Sequence, residues 1–247
     1  MDDGSVAQSV EQATFNREVP GSSPGGPTIA SRRRRLPRPL AGAGLAAAAV
    51  AVLLTLGAAI ARYPFAFDRA IVAGWRAWEG PRWLARAAVD LTALGGGTVL
   101  TVVVVVAAGL LLVQRLPMTA LAIVLASWSG GQVVKLAKAM FDRARPELVE
   151  RLVPVSSASF PSGHAANSAV VYLTIAALAS QVTRDRASRT YLMAAAVLLV
   201  GAIGASRVYL GVHWPSDVAA GWCFGTLWAL GWWWATARAR ASIGGER

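Results

Sequence analysis

Cysteine is almost missing: Cys223 is the only one in 247 residues. No intramolecular disulfide can form, and no cysteine-based metal cluster is available. Charge is scarce as well. Asp, Glu, Lys and Arg make up 15% of the chain, whereas hydrophobic residues make up 55%. That balance excludes an ordinary soluble domain, because too little polar sequence remains to cover a water-facing core. Histidine and lysine are rarer still, with two of each: His164, His213, Lys135 and Lys138. No internal repeat is visible.

What is present in quantity is uninterrupted apolar sequence. A bilayer-spanning helix needs roughly 20 such residues. Six runs meet or approach that length: Leu40 to Ala61, Leu91 to Gln114, Leu116 to Val134, about His164 to Gln181, Thr190 to Ala205, and Val218 to Ala237. The β-branched stretch Val102 to Val106 lies inside one of them and reads as helix, since backbone in lipid must satisfy its own hydrogen bonds. The expected fold is therefore all-α: a polytopic membrane helix bundle with six transmembrane helices. Between the first two spans, Ile71, Trp75 and Trp78 recur at helical spacing. That segment reads either as an amphipathic helix lying in the membrane interface or as a simple spacer.

Residues 1–38 are polar, contain Gly, Pro and Ser, and end in a run of arginines. They are expected to form a disordered basic tail. The stretch from Ser5 to Thr28 also looks like the accidental translation of a transfer-RNA gene, which would place the natural start further downstream. The six-span domain is expected over residues 39–237, with a short tail at 238–247. The net charge of +11 is spread mostly over the ends of apolar runs, with no basic soluble domain to hold nucleic acid. It reads instead as an orientation signal. With both termini cytoplasmic, Arg115, the Arg184/Arg186/Arg189 loop and the C-terminal arginines all fall inside. The arginines of the Arg62 to Asp90 segment fit less well. Arg- and Ala-rich composition hints at a bacterial source and a plasma membrane.

The same topology gathers the rare residues on the outer face. The third span ends near Lys135, Lys138, Arg143 and Arg145, and the fourth begins at Pro161, Ser162, Gly163 and His164. The fifth ends at Ser206 and Arg207, and the sixth opens after His213, Pro215 and Asp217. Lys138, Arg145 and Arg207 would make an anion site, arginine being suited to bidentate phosphate contact. Pro161-Ser162-Gly163-His164 and Pro215 read as helix starts, whose positive ends would point at the same pocket. Gly163 lets a backbone N–H approach closely. His213 and Asp217 are four apart. A carboxylate on one ring nitrogen would fix the tautomer and leave the other as a nucleophile. His164, on another helix, could protonate a leaving oxygen. Taken singly, either histidine reads equally well as an interfacial polar residue. Lys135 and Arg143 read as span-end anchors, and Asp142 and Glu147 as solvated loop charges. Ser162 as a nucleophile lacks the upstream glycine of the usual nucleophile elbow.

In order, these residues are Lys138, six residues, Arg145-Pro146; then Pro161-Ser162-Gly163-His164; then Ser206-Arg207, five residues, His213, three residues, Asp217. This resembles the three-part signature of the type 2 phosphatidic acid phosphatase family, the lipid phosphate phosphatases related to vanadium haloperoxidases. The resemblance covers about residues 39–237. It implies a metal-independent lipid phosphate phosphatase without a cofactor. Lys138, Arg145 and Arg207 would bind phosphate, assisted by Ser162 and Gly163. His213 would attack phosphorus, Asp217 would orient it, and His164 would serve as acid and then base. The substrate would be a lipid phosphomonoester or a polyprenyl pyrophosphate. Transfer to an acceptor other than water, or lipid-phosphate binding without catalysis, are the competing readings. The lipid tail would lie between helices, where Gly130, Gly131 and Gly221 permit either tight packing or a groove.

Overall fold

The structure, a computed structural model, describes residues 40–60, 64–78 and 80–243. The expected tail at 1–38, Arg62 and residues 244–247 lie outside the described residues. All regular structure among the described residues is helical. Eight helices follow in chain order: α1 (Leu40–Ile60), α2 (Ala66–Ala77), α3 (Arg82–Ala93), α4 (Gly97–Val113), α5 (Pro117–Phe141), α6 (Gly163–Val182), α7 (Arg186–Tyr209) and α8 (Pro215–Ile243). The backbone of α6 widens into a π turn over Ala169–Leu173.

Helices α5, α6 and α7 are long and apolar enough to cross a membrane. The expected second span is broken. Three consecutive glycines, Gly95 to Gly97, carry the poorest helix propensity short of proline. The chain there turns by 50° between α3 and α4, which together make a fourth candidate crossing. Over its described side chains, Gly44–Ile60, α1 is a shorter apolar helix, and α8 is long but rich in Trp and Gly. By length and apolarity the described residues thus hold three or four candidate spans, against six expected. The expected interfacial segment is also two helices. On α2, Asp68 and Val72 are buried while Ile71, Trp75 and Trp78 face outward. Residues 238–243 of the expected tail continue the last turns of α8, through Ala- and Arg-rich sequence of good helix propensity to Ile243.

Helix α8 is the centre of the packing, against α1, α5, α6 and α7. Its approach to α6 depends on Gly221 and Gly225, four residues apart. A Cβ on Gly221 would lie 3.0 Å from the Ala166 nitrogen, and one on Gly225 would lie 2.8 Å from the Ala166 carbonyl oxygen and collide with Ala169. Small residues at this spacing let two backbones meet inside a bilayer, where apolar side chains gain nothing by leaving lipid. Phe224, Phe160, Val170 and Trp228 fill the space around that contact, with Leu53 of α1. The contact has a functional consequence: it fixes the N-termini of α6 and α8 side by side.

Candidate functional site

Alternating chain direction brings four helix ends to one end of the bundle. They are the C-termini of α5 and α7 and the N-termini of α6 and α8. Helix α5 stops at Asp142, which takes a left-handed conformation with φ of 36°. This leaves Lys138 in the last turn, where a cation suits the helix dipole. Its Nζ donates to the Ala158 carbonyl at 2.6 Å. Helix α6 starts two residues after its proline rather than at it. Ser162 is the cap, Gly163 the first helical residue, and Pro161 lies before both. The Ser162 N–H donates to the Asp217 carbonyl at 3.1 Å, so the two helix starts are tied together. The Ser162 hydroxyl is buried and has no protein partner.

Arg207 lies in the last turn of α7, buried, and donates through Nη1 to Thr92 of α3 at 3.1 Å. Its Nε is buried without a partner. The chain then reverses through Gly211, whose φ of +72° favours glycine, and whose added Cβ would meet Val149 at 2.9 Å. That turn delivers His213. Asp217 follows in the first turn of α8, after Pro215 at its first position, as the sequence predicts.

His213 is almost wholly buried, and its two nitrogens have different neighbours. Arg145 Nη1 lies 3.2 Å from Nε2. A guanidinium can only donate, so Nε2 is the acceptor and the ring proton sits on Nδ1. Nδ1 in turn faces Asp217 Oδ2 and Ser159 Oγ, each at 3.5 Å. Asp217 is held firmly. Its Oδ2 accepts from Ser159 Oγ at 2.5 Å and from the Trp214 N–H at 3.0 Å, and its Oδ1 accepts from Arg143. Burial pushes the His213 imidazole down from its usual 6.5 to about 3, although hydrogen bonding and charge from Asp217 pull the other way. The ring is therefore neutral at physiological pH, with the unprotonated Nε2 lone pair directed at Arg145. Burial lowers the Arg145 guanidinium to about 10, and it stays charged there. Its remaining donors hold the Val212 and Ser157 carbonyls at 2.5 and 2.8 Å.

His164 is half-buried in the first turn of α6, with Gly95 of the α3–α4 break against its ring. The charges of Lys138 and Arg145 reach both imidazoles. All eight residues expected from the sequence, Lys138, Arg145, Ser162, Gly163, His164, Arg207, His213 and Asp217, thus lie at one end of the bundle. Gly163 faces Lys138, whose Cε would be 3.5 Å from an added Cβ. Lys135 is exposed, in keeping with an anchor.

Arg143 is a correction. It is no span-end anchor but a buried bridge between two carboxylates, Asp217 and Asp68 of α2. Sequence reasoning also passed over Asp68, Ser159, Ser216 and Thr92. The only available signal was an acidic residue in an otherwise apolar, aromatic helix face. Gly130 and Gly221 take the packing option, close against Val170 and Ala166. Gly131 is open, and lines a groove of about 370 Å³ with Gly97, Leu100, Val104, Ser127 and Asn167.

Residues 98–241 match the model of the PAP2 superfamily. The phosphatidylglycerophosphatase B of Bacillus subtilis (strain 168) is 32% identical over 148 residues, covering 59% of this chain and 71% of that protein. The crystal structure of a transmembrane PAP2 type phosphatidylglycerolphosphate phosphatase from Bacillus subtilis superposes with a TM-score of 0.66 at 29% identity, over 75% of this chain and 92% of that one. That of Aquifex aeolicus LpxE gives 0.54 at 25% identity, over 69% and 96%. With more than half of its length matched by the family model, and with histidines, cations and carboxylate assembled at one end of a membrane helix bundle, the chain belongs to the PAP2 superfamily.

Proposed function

We propose that this membrane phosphatase hydrolyses a lipid phosphomonoester or polyprenyl pyrophosphate at the extracytoplasmic face, through a phosphohistidine on His213. The observation that carries the reading is the 3.2 Å approach of the Arg145 guanidinium to His213 Nε2. A phosphate held by that guanidinium brings phosphorus within reach of a neutral, correctly protonated imidazole. Lys138, Arg145 and Arg207 neutralise the phosphoryl oxygens, and the Ser162 hydroxyl and Gly163 N–H complete the cradle.

Nε2 attacks phosphorus and the bond to the lipid oxygen breaks, with His164 giving its proton to the leaving alkoxide or phosphate. Positive charge that develops on the His213 ring is met by Asp217 at Nδ1. A water then enters, His164 takes its proton, the P–N bond breaks, and inorganic phosphate leaves. No metal is required in this scheme. The buried carboxylates nearest the site, Asp68 and Asp217, already share Arg143. The groove beside Gly131 and Asn167 supports a lipid substrate, since its apolar walls of Leu100, Val104, Val124 and Val171 meet α6 at Asn167, one turn after His164. Helices α1 and α8 complete the six crossings in this reading, with both termini cytoplasmic.

Purified protein in detergent should release phosphate from phosphatidylglycerol phosphate or phosphatidic acid with EDTA present. His213→Asn should abolish release, and radiolabel from a labelled substrate should be trapped acid-labile on the wild type alone. Full activity of the His213→Asn variant would overturn the mechanism. Label that passes to an added alcohol or glycan rather than to water would favour a phosphotransferase.

A further inference from the structure

The pair Asp217–Arg143 continues one residue further, to Asp68 of α2. Asp68 is fully buried, 149 positions before Asp217 in sequence. Its Oδ2 lies 3.2 Å from Arg143 Nη2 and accepts from Ser216 Oγ at 2.6 Å, while its Oδ1 accepts from the Ser216 N–H at 2.8 Å. Arg143 Nη1 meets Asp217 Oδ1 and Ser216 Oγ. One guanidinium therefore lies between two carboxylates, all three shielded from solvent.

The charge count gives this arrangement a consequence. Asp217 paired with Arg143 alone would form a neutral unit and offer His213 little negative field. With Asp68 as a second partner, the buried trio carries a net charge of −1. That charge faces Nδ1, on the opposite side of the imidazole from Arg145. It acts where positive charge appears when Nε2 bonds to phosphorus. Arg143 also occupies Asp217 Oδ1, so that Oδ2, which Ser159 and the Trp214 N–H hold, is the oxygen that faces His213.

We infer that Asp68 and Arg143 are positioning residues for the reaction: they orient the Asp217 carboxylate and keep it negative toward His213, so that helix α2 is part of the catalytic apparatus. The inference rests on the reading of His213 as nucleophile given above. Neither residue touches substrate. Both act through Asp217, and their loss should weaken the transition state more than the bound ground state.

Orthovanadate, which takes the five-coordinate geometry of the transferring phosphoryl group, and inorganic phosphate, which does not, separate the two effects without knowledge of the lipid. Their binding to full-length protein in detergent is measured by calorimetry or competition. Asp68→Asn, which keeps the shape and removes the charge, should weaken vanadate by about tenfold or more and phosphate by less than about twofold. Arg143→Lys keeps the charge but cannot bridge both carboxylates, and should show a smaller loss in the same direction. In an Asp217→Asn background, Asp68→Asn should cost almost nothing further, because coupled residues are not additive. Unchanged vanadate affinity in Asp68→Asn, equal losses for both anions, or defects that multiply with Asp217→Asn would each overturn the inference. Should His213→Asn bind vanadate as the wild type does, the nucleophile assignment fails instead. Thermal unfolding of each variant separates these outcomes from loss of fold, and Arg143→Lys carries the test if Asp68→Asn does not fold.

Discussion

Arg143 and Arg145 are two residues apart, carry the same charge and end with different partners. Arg143 turns inward to two carboxylates, whereas Arg145 spreads over carbonyls and reaches His213 Nε2. Spacing along the chain could not separate them, because both sit in irregular structure after the αL turn at Asp142. Arg145→Lys should lower kcat/KM by roughly a hundredfold, since a single ammonium cannot replace a guanidinium that holds the backbone and faces phosphate together. Steady-state assay on a lipid phosphate checks it. His213 also makes a prediction about pH. Its pKa in the folded protein lies below the 6.5 of an unfolded chain, so below 6.5 the unfolded state binds a proton that the folded state refuses. Its contribution to stability is therefore complete above pH 6.5 and is lost as pH falls toward 3. Thermal unfolding in detergent should show a larger drop from pH 7 to pH 5 in the wild type than in His213→Gln. An equal drop in both would contradict the buried neutral ring.

At the level of helices, the α6–α8 contact decides whether the site exists. It holds Ser162 N–H against the Asp217 carbonyl and so sets His164 beside the His213 turn. Gly225→Val should destabilise the protein by about 1–3 kcal/mol, the usual cost of overpacking, because the new side chain meets Ala169 and the Ala166 carbonyl. Differential scanning of the variant in detergent measures this. Gly131 is the contrast, since nothing lies within 4 Å of its added Cβ. Gly131→Phe should leave stability nearly unchanged but fill the groove at α4 and α5. The expected result is a raised KM for a long-chain lipid phosphate and an unaltered KM for a short soluble phosphomonoester. Equal effects on both substrates would remove the groove from substrate binding. Hydropathy marked the helices themselves well, but ran the end of α3, from Leu91, straight into α4. Helix propensity at Gly95 to Gly97 opposes that, and the break seats Gly95 against His164.

Across the whole molecule, the site loop 142–162 and the turn at 183–185 lie at opposite ends of α6. In a Cys223→Ala background, Glu147→Cys should react with a membrane-impermeant maleimide on intact cells. Thr183→Cys should react only after permeabilisation. The reverse pattern would move the site to the cytoplasmic face. Composition and long apolar runs were enough to exclude a soluble fold and to mark helices, because lipid permits little else to an uncovered backbone. The three short motifs were enough to name eight residues that the fold gathers at one end of the bundle, because each lies within a few positions of a helix end. Tertiary structure alone decided how Asp217 is held. Arg143 gains its role from Asp68, 75 residues away, and Ser159 gains its role from a carboxylate 58 residues away. Such contacts follow from how helices cross, and nearest-neighbour chemistry along a chain carries no record of the crossing.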